Sequence, residues 1–451
     1  MLDLRCRSGK QCPHVSDVKQ SLDHQLKRLA SKHAEKGGRS IVEEYLKLYE
    51  DELFTHVMPF WMKHSLDRDF GGYFTCLETD GQCYDPRKYL WMQGRQIWML
   101  SRLYNDHERR PEWLEAAELG VRFIRRWGRA ADGRVHFALT REGRPAGKMQ
   151  RKIFSECFYA MGLAEYCKAS GDASAGEEAL EVFAFIERLI DCPEALGIRV
   201  LSGNPVASSL AVPMIMLGML EIFSGLMEPE TLAAKSHAYA EKLQRHYVPE
   251  FKVFRENVAL SGSFAGWPEE RLLCPGHSIE AAWFLMHYAR TFSRPEALKL
   301  ALEVIEGSME VGWDREYGGL YYFVDSEAKP LTMLEWSMKL WWPHTEALYA
   351  LVAAWCETGQ ERFRKWHRRV HDYSFQTFAD HAHGEWFGYC DRRGKLTHQA
   401  KGNLYKGCFH VPRALFLSLQ TLKGRYDSMQ AASEDRLKEI TPIGSAQQGT
   451  E

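Results

Sequence analysis

Hydrophobic positions along the chain recur mainly with the spacing of amphipathic helices. In residues 40–64, 112–128 and 296–312, apolar side chains fall at positions i, i+3, i+4 and i+7, which lie on one face of a helix. Strand signals are short, rich in aromatic residues and closed by turn residues. The pattern predicts a mostly helical body with short β-hairpin loops.

These hairpin-like segments repeat. Clear copies begin at Asp67, Asp314 and Asp380, each with a glycine or a glycine pair from the fourth residue onward and aromatic residues nearby, and a weaker copy begins at Asp132. Six phase markers have successive spacings of 62, 64, 59, 62 and 66 residues, and the second to fourth are the weakest: Gly71, Gly133, Gly197, Glu256, Gly318 and Gly384. A period near 62 residues accommodates two helices and a hairpin. Six such units predict an all-α (α/α)6 toroid with the hairpins at one end.

Composition divides the chain into a large body and two polar ends. Residues 1–40 predict a loosely ordered extension with a short helix around Val15 to Ala34. Residues 41–424 contain no long linker and are predicted to form one barrel domain. Residues 425–451 predict a frayed helix that runs into a disordered tail.

Charge and cysteine usage narrow the function classes. Lys plus Arg number 58 against 60 Asp plus Glu, so nothing favours nucleic acid or an anionic membrane as the partner. The 11 cysteines form no CxxC pair or zinc-type cluster, and neither a metal nor a disulfide framework is expected. No signal-peptide core or membrane-length apolar run is present in the sequence, which predicts a cytoplasmic protein.

Five polar residues lie inside strongly apolar stretches at nearly one phase of the repeat. They follow their markers by 24, 23, 21, 28 and 26 residues: Arg95, Glu156, His277, Glu346 and His410. Several are preceded by Gly or Pro, as at a helix start. We therefore expect them to line one cleft at the end of the inner helices.

Each of these residues also has a structural interpretation. Arg95 can simply pair with a buried carboxylate such as Glu156, and Glu280 can either orient His277 or cap its helix. Aromatic residues make up 12% of the chain, with 14 Trp, which suits either a saccharide cleft or a large core. The further candidates for substrate binding are Glu156, Glu280, Trp91 and Trp342.

Two histidines near an arginine suit proton transfer at a carbon acid. In an open-chain aldose, removal of the C2 proton places negative charge on O1, where a guanidinium stabilises it. The chain lacks GxGxxG, Walker and HExxH motifs, so no consumed cofactor is expected. Glycoside hydrolysis by Glu156 and Glu346, or a binding protein with an idle cleft, are the alternatives.

Six motif stretches resemble the animal N-acylglucosamine 2-epimerases, also called renin-binding proteins. The likeness runs from about Val42 to Leu422, and these stretches carry it: residues 88–104, 152–165, 274–284, 334–351, 383–389 and 401–415. The resemblance implies an (α/α)6 barrel, a homodimer, and interconversion of N-acetylglucosamine and N-acetylmannosamine in sialic acid metabolism. It also implies ATP as an allosteric activator that is not consumed, while renin binding is implied by the family name alone.

The resemblance assigns roles to four residues of this chain. It implies an essential arginine at Arg95, acid–base histidines at His277 and His410, and an essential glutamate at Glu346; Glu156 has no such counterpart. The resemblance extends to cellobiose 2-epimerases and an aldose–ketose isomerase, which have a further histidine in the third repeat. Here that segment is the apolar stretch 210–217, which favours an N-acyl sugar.

Overall fold

The computed structural model describes residues 38–198, 207–259 and 266–440, and most of them are helical. Fourteen α-helices are described in these ranges: α1 Gly38–Asp51, α2 Met58–His64, α3 Leu90–Asp106, α4 Pro111–Trp127, α5 Phe154–Ser170, α6 Ala173–Asp191, α7 Ala211–Ile222, α8 Pro229–Gln244, α9 Pro268–Arg271, α10 Pro275–Thr291, α11 Pro295–Gly312, α12 Trp341–Thr358, α13 Glu361–Thr377 and α14 His410–Ile440. A π-helix, Glu52–Val57, joins α1 to α2.

The chain divides into two compact units, residues 48–422 and a smaller unit formed by both ends. In the smaller unit, the Tyr426 hydroxyl donates a hydrogen bond to Glu43 at 2.9 Å. The predicted extension falls largely outside the described residues, as do positions 441–451 of the predicted tail. The boundaries at 40 and 425 therefore stay predictions.

Within residues 48–422, helices alternate between an inner and an outer role, which confirms the predicted (α/α)6 architecture. In the inner helix α12, every residue from Trp341 to Trp355 is buried, because most of the stretch is apolar or aromatic and its polar side chains, such as Glu346, are hydrogen-bonded. In the following outer helix α13, burial is confined to one stripe that includes Phe363, Trp366 and Val370. The six inner helices are α3, α5, α7, α10, α12 and the first part of α14.

Short antiparallel strand pairs connect successive repeats. The described strands are β1 Cys76–Leu77, β2 Cys83–Asp85, β3 Lys88–Tyr89, β4 Ala138–Leu139, β5 Ala207–Ser209, β6 Tyr247–Val248, β7 Val253–Phe254, β8 Asn257–Ala259, β9 Leu272–Leu273, β10 Val324–Asp325, β11 Lys339–Leu340 and β12 Tyr389–Cys390. Strands β3, β9 and β11 each precede an inner helix and pair with the hairpin of the next repeat, as in the register Lys88↔Leu139.

The last repeat pairs with the first in the same way. The amide of Lys401 donates to the Leu77 carbonyl at 2.9 Å, and the Leu77 amide donates to the Gly402 carbonyl at 3.3 Å. These backbone bonds join residues more than three hundred positions apart. They close the ring that the repeat pattern predicts.

The phase markers coincide with turns that require a left-handed backbone. All five glycine markers have positive φ, between 73° and 84°. Glycine adopts this conformation without the steric clash that a Cβ introduces. The hairpin predicted near Gly197 lies partly outside the described residues.

None of the helices in the described ranges is long and apolar enough to cross a membrane.

Candidate active site

The polar residues singled out by phase all lie in the first two turns of inner helices. Glu156 and His277 are in the first turns of α5 and α10, Arg95 and Glu346 are in the second turns of α3 and α12, and His410 opens α14. Because every inner helix starts at the hairpin end, these side chains are placed at one end of the ring. Exposed N–H groups at helix starts also favour negative charge there.

His410 belongs to a buried charged cluster. Its Nδ1 lies 2.7 Å from Oε1 of Glu346, which also accepts a hydrogen bond from Arg413 at 2.7 Å. Arg413 donates a second bond to Glu280 at 2.6 Å, and Trp283 donates to the other Glu346 oxygen at 2.9 Å. The Arg413 guanidinium thus lies between the two carboxylates and forms an ion pair with each.

The protonation of His410 follows from this environment. Burial lowers the pKa of His410 well below its ordinary value, and the nearby cations Arg95 and Arg413 lower it further. A neutral imidazole that donates Nδ1–H to Glu346 leaves the lone pair on Nε2 free. His410 can therefore accept a proton near neutral pH.

Trp342 connects the two candidate histidines. The centroid of its ring lies 4.9 Å from that of His277 and 5.9 Å from that of His410. This contact needs Gly276, because a Cβ added there would lie 2.7 Å from the indole ring. The indole offers an apolar face between the imidazoles on which a sugar ring can stack.

Arg95 is a cation without an ion-pair partner among the described residues. Its guanidinium carbon lies over the rings of Phe158, Phe409 and Trp91 at 4.2, 5.0 and 5.3 Å. Nε is buried without a hydrogen-bond partner, and no carboxylate of the described residues forms an ion pair with the side chain. Burial and the charge of Arg413 lower the pKa of Arg95 to about 9, so it stays protonated at neutral pH.

Trp91 and Glu156 are also singled out by the sequence; Trp91 contacts Arg95, whereas Glu156 pairs with Arg134. Trp91 donates from its indole nitrogen to the Leu404 carbonyl at 2.9 Å, and its ring meets that of Tyr405 at 5.7 Å. Glu156 is fully buried and accepts hydrogen bonds from Arg134 at 2.6 Å and from the Val135 amide at 3.0 Å. In the part of the chain that the structure describes, Glu156 therefore forms no hydrogen bond or ion pair with the two histidines or Arg95.

His277 is held by a residue that the sequence argument used only as a marker. Its Nδ1 lies 3.0 and 3.1 Å from the two carboxylate oxygens of Glu256. Burial by itself lowers the pKa of His277, but Glu256 and Cys274 raise it well above the ordinary value. His277 is therefore a cation near neutral pH, in contrast to His410.

Sequence reasoning missed Arg413 and Glu256. Arg413 follows His410 by three residues, so helical periodicity puts both on one face, and that signal was available in the motif. Glu256 lies outside the helices and 21 residues before His277. Only the register of the loops brings the two together.

A ring of six helix pairs, with its candidate acid–base groups gathered where the inner helices begin, places the chain in the class of (α/α)6 barrels. A family model described as N-acylglucosamine 2-epimerase (GlcNAc 2-epimerase) matches residues 72–409. The chain is 40% identical over 425 residues to N-acylglucosamine 2-epimerase of Bos taurus, covering 91% of this chain and 99% of the relative. The identity to the Homo sapiens N-acylglucosamine 2-epimerase is 40% over 382 residues, with coverages of 81% and 87%. The chain belongs to the N-acylglucosamine 2-epimerase family.

A solved structure supports the fold independently. Cellobiose 2-epimerase of Bacillus thermoamylovorans superimposes with a TM-score of 0.72 at 18% identity, covering 84% of this chain and 99% of that one. At this identity the likeness bears on architecture alone. It agrees with the inner and outer helix rings described above.

Proposed function

We propose that the chain interconverts N-acetylglucosamine and N-acetylmannosamine by moving the proton at C2. The observation that carries the proposal is the unpaired guanidinium of Arg95 in a cleft that also holds two histidines against one indole. The Nε atom of this half-buried cation has lost water without gaining a hydrogen bond, and a ligand with negative charge would offset that cost. The family and its animal relatives point to the same chemistry.

The reaction needs an open-chain sugar, because only the C1 aldehyde makes the C2 proton acidic. One histidine then removes that proton and the other delivers a proton to the opposite face, which inverts C2. Negative charge develops on O1 during this step, and Arg95 is the group available to stabilise it. Glu346 orients His410 through their hydrogen bond, and Arg413 fixes Glu346.

Glycoside hydrolysis is less well supported. It requires one protonated and one ionised carboxyl group on either side of the scissile bond. Glu156 is bound by Arg134, and Glu346 already accepts bonds from two side chains and pairs with His410. The two histidines and Arg95 would then have no role in the reaction.

Several finer properties stay predictions that rest on the family resemblance. They are activation by ATP, a homodimeric state, a cytoplasmic location, a place in sialic acid metabolism, and renin binding. The N-acyl preference over other sugars rests on the apolar segment in the third repeat, which includes Pro213 and Met214 on α7.

The first experiment is incubation with N-acetylmannosamine in deuterated water, with and without ATP, followed by proton NMR. We expect N-acetylglucosamine that carries deuterium at C2. A ketose product would instead indicate an aldose–ketose isomerase. If neither a new sugar nor exchange at C2 appeared under any condition, the epimerase proposal would be wrong.

Separate replacement of the two histidines by asparagine tests the two-base scheme. We expect His277→Asn and His410→Asn each to lower epimerisation by about 100-fold or more, the usual contribution of a positioned acid or base. Each variant should still exchange the C2 proton of one epimer, and the two variants should differ in which epimer that is. Turnover within a few-fold of the parent for either variant would contradict the scheme.

A further inference from the structure

The two candidate histidines are held by carboxylates in different electrostatic states. Glu346, beside His410, already pairs with Arg413 and accepts a hydrogen bond from Trp283. Glu256, beside His277, has no lysine or arginine within ion-pair distance among the described residues. A carboxylate that pairs with no other cation stabilises the protonated form of its histidine, whereas a carboxylate already paired with an arginine does so much less.

We propose that Glu256 is a positioning residue that keeps His277 as an imidazolium, so that the resting enzyme presents His277 as the proton donor and His410 as the acceptor. This inference rests on the proposed epimerase function. It assigns to Glu256 a role in the reaction, and it decides which histidine starts a turnover in which protonation state.

The backbone fixes the Glu256 carboxylate before substrate binds. The Glu256 amide donates to the Leu272 carbonyl at 3.2 Å, and its carbonyl accepts from the Leu210 amide at 2.8 Å. Leu210 directly precedes α7 and Leu272 lies in β9, so two neighbouring segments hold the residue. The side chain is 12% exposed, which limits competition from water for His277.

The other charged groups around His277 do not replace Glu256. Cys274 lies on the same segment and also raises the pKa of His277, but it does so less than Glu256, and burial keeps the pKa of its own thiol above the ordinary value. Glu280, one turn along α10, is paired with Arg413. From the facing helices come Trp342, which is uncharged, and His410, which is neutral for the reasons given above.

With His277 protonated and His410 neutral, the enzyme can epimerise in one direction only; the opposite direction requires the reverse protonation states. The resting enzyme acts on the epimer whose C2 proton faces His410, and the product leaves His410 protonated and His277 neutral. Proton exchange with solvent then restores the resting state. Since the equilibrium constant fixes the ratio of kcat/KM values for the two directions, loss of Glu256 must lower both by the same factor.

The test compares Glu256→Gln with a matched control, Glu221→Gln. A carboxylate oxygen of Glu221 lies 2.9 Å from Nδ1 of His287. His287 follows His277 by ten residues on α10, which corresponds to about 15 Å along the helix. We expect Glu256→Gln to lower kcat at pH 8 by about tenfold or more. The alkaline limb of its kcat/KM profile should move to lower pH by about one unit or more, because His277 loses its proton sooner.

The controls separate charge from structure. Glu221→Gln should follow the parent profile, and Glu256→Asp, which keeps the carboxylate, should restore much of the alkaline limb. An NMR titration of the His277 imidazole gives a second readout, with a lower pKa expected in Glu256→Gln than in the parent. An active parent whose alkaline limb and His277 titration both stay unmoved in Glu256→Gln would overturn the role of Glu256 alone. A parent that epimerises neither sugar would overturn the proposed function itself.

Discussion

Two sets of charged side chains in this molecule differ in how completely they are paired. At the hairpin end, Asp67 accepts from Lys88 at 2.8 Å and from Arg141 at 2.9 Å. Burial raises the pKa of Asp67, but its hydrogen bonds to Arg141 and Lys88 bring it down to about 2. In the cleft, the half-buried side chain of Arg95 lies among aromatic rings, with Nε buried and no ion-pair partner among the described residues.

The hairpin arrangement recurs at the same place in other repeats. Asp314 pairs with Lys339 and Arg392, and Asp380 pairs with Lys401. These lysines precede inner helices, so each pair ties a hairpin to the start of the next inner helix. Charges that are fully paired and recur in several repeats indicate a structural role. A single charge without an ion-pair partner at the helix starts, as in Arg95, indicates a role in binding or catalysis.

The strongest test of this contrast is Arg95→Met. We expect kcat to fall by about a thousandfold, because the charge that stabilises developing O1⁻ is lost. Stability should stay the same or rise, since a half-buried cation without an ion-pair partner is replaced by an apolar side chain of similar length. Activity assays and thermal unfolding measure the two effects separately. A marked loss of stability with near-normal kcat would make Arg95 structural.

The reverse outcome is expected for Asp67→Asn, which leaves Lys88 buried without its anion. The free energy of unfolding should fall by about 3–5 kcal/mol, the usual effect of removing one partner of a buried pair. Turnover per folded molecule should stay within a few-fold of the parent.

Urea unfolding measures the change, and Asp69→Asn is the matched control. Asp69 pairs with the same Arg141, but its side chain is 73% exposed. Its loss should change stability by about 1 kcal/mol or less. Equal effects of the two substitutions would contradict the structural role assigned to the buried pair.

The smallest effect is expected for Gly276→Ala. The added methyl group would meet both the Trp342 ring and Cβ of Pro343 within 2.9 Å, so the indole must shift. We expect kcat/KM to fall by about tenfold, because Trp342 lies between the two histidines. Gly147→Ala is the control, since its added Cβ would meet only Ala138, at 3.8 Å. Equal kinetics for both variants would argue against a positioning role for Trp342.

The repeat pattern in the sequence was sufficient to predict the ring of helix pairs. The spacing of glycines such as Gly71 and Gly318 marks turns that need positive φ, and a turn of that kind tolerates few other residues. His410 and Glu346 share one phase of this repeat, and the structure places them in direct contact.

Pairing between distant loops was not readable from the sequence. Glu156 has the same phase as Arg95, yet its carboxylate is taken by Arg134 from the preceding hairpin. Glu256 reaches His277 only because strand pairing sets the register of its loop. Periodicity predicts at which end of a helix a residue lies, but the partner of a charged side chain depends on loop geometry.

Closure of the ring also has a consequence for biosynthesis. The first inner helix supplies Arg95 and the last supplies His410, and the backbone bonds between Leu77 and Gly402 join the two ends of the repeat series. During translation, the segment with Arg95 is synthesised about three hundred residues before the segment with His410. The cleft therefore assembles only after the sixth repeat has been synthesised, and a nascent chain carrying five repeats has Arg95 but neither His410 nor Arg413.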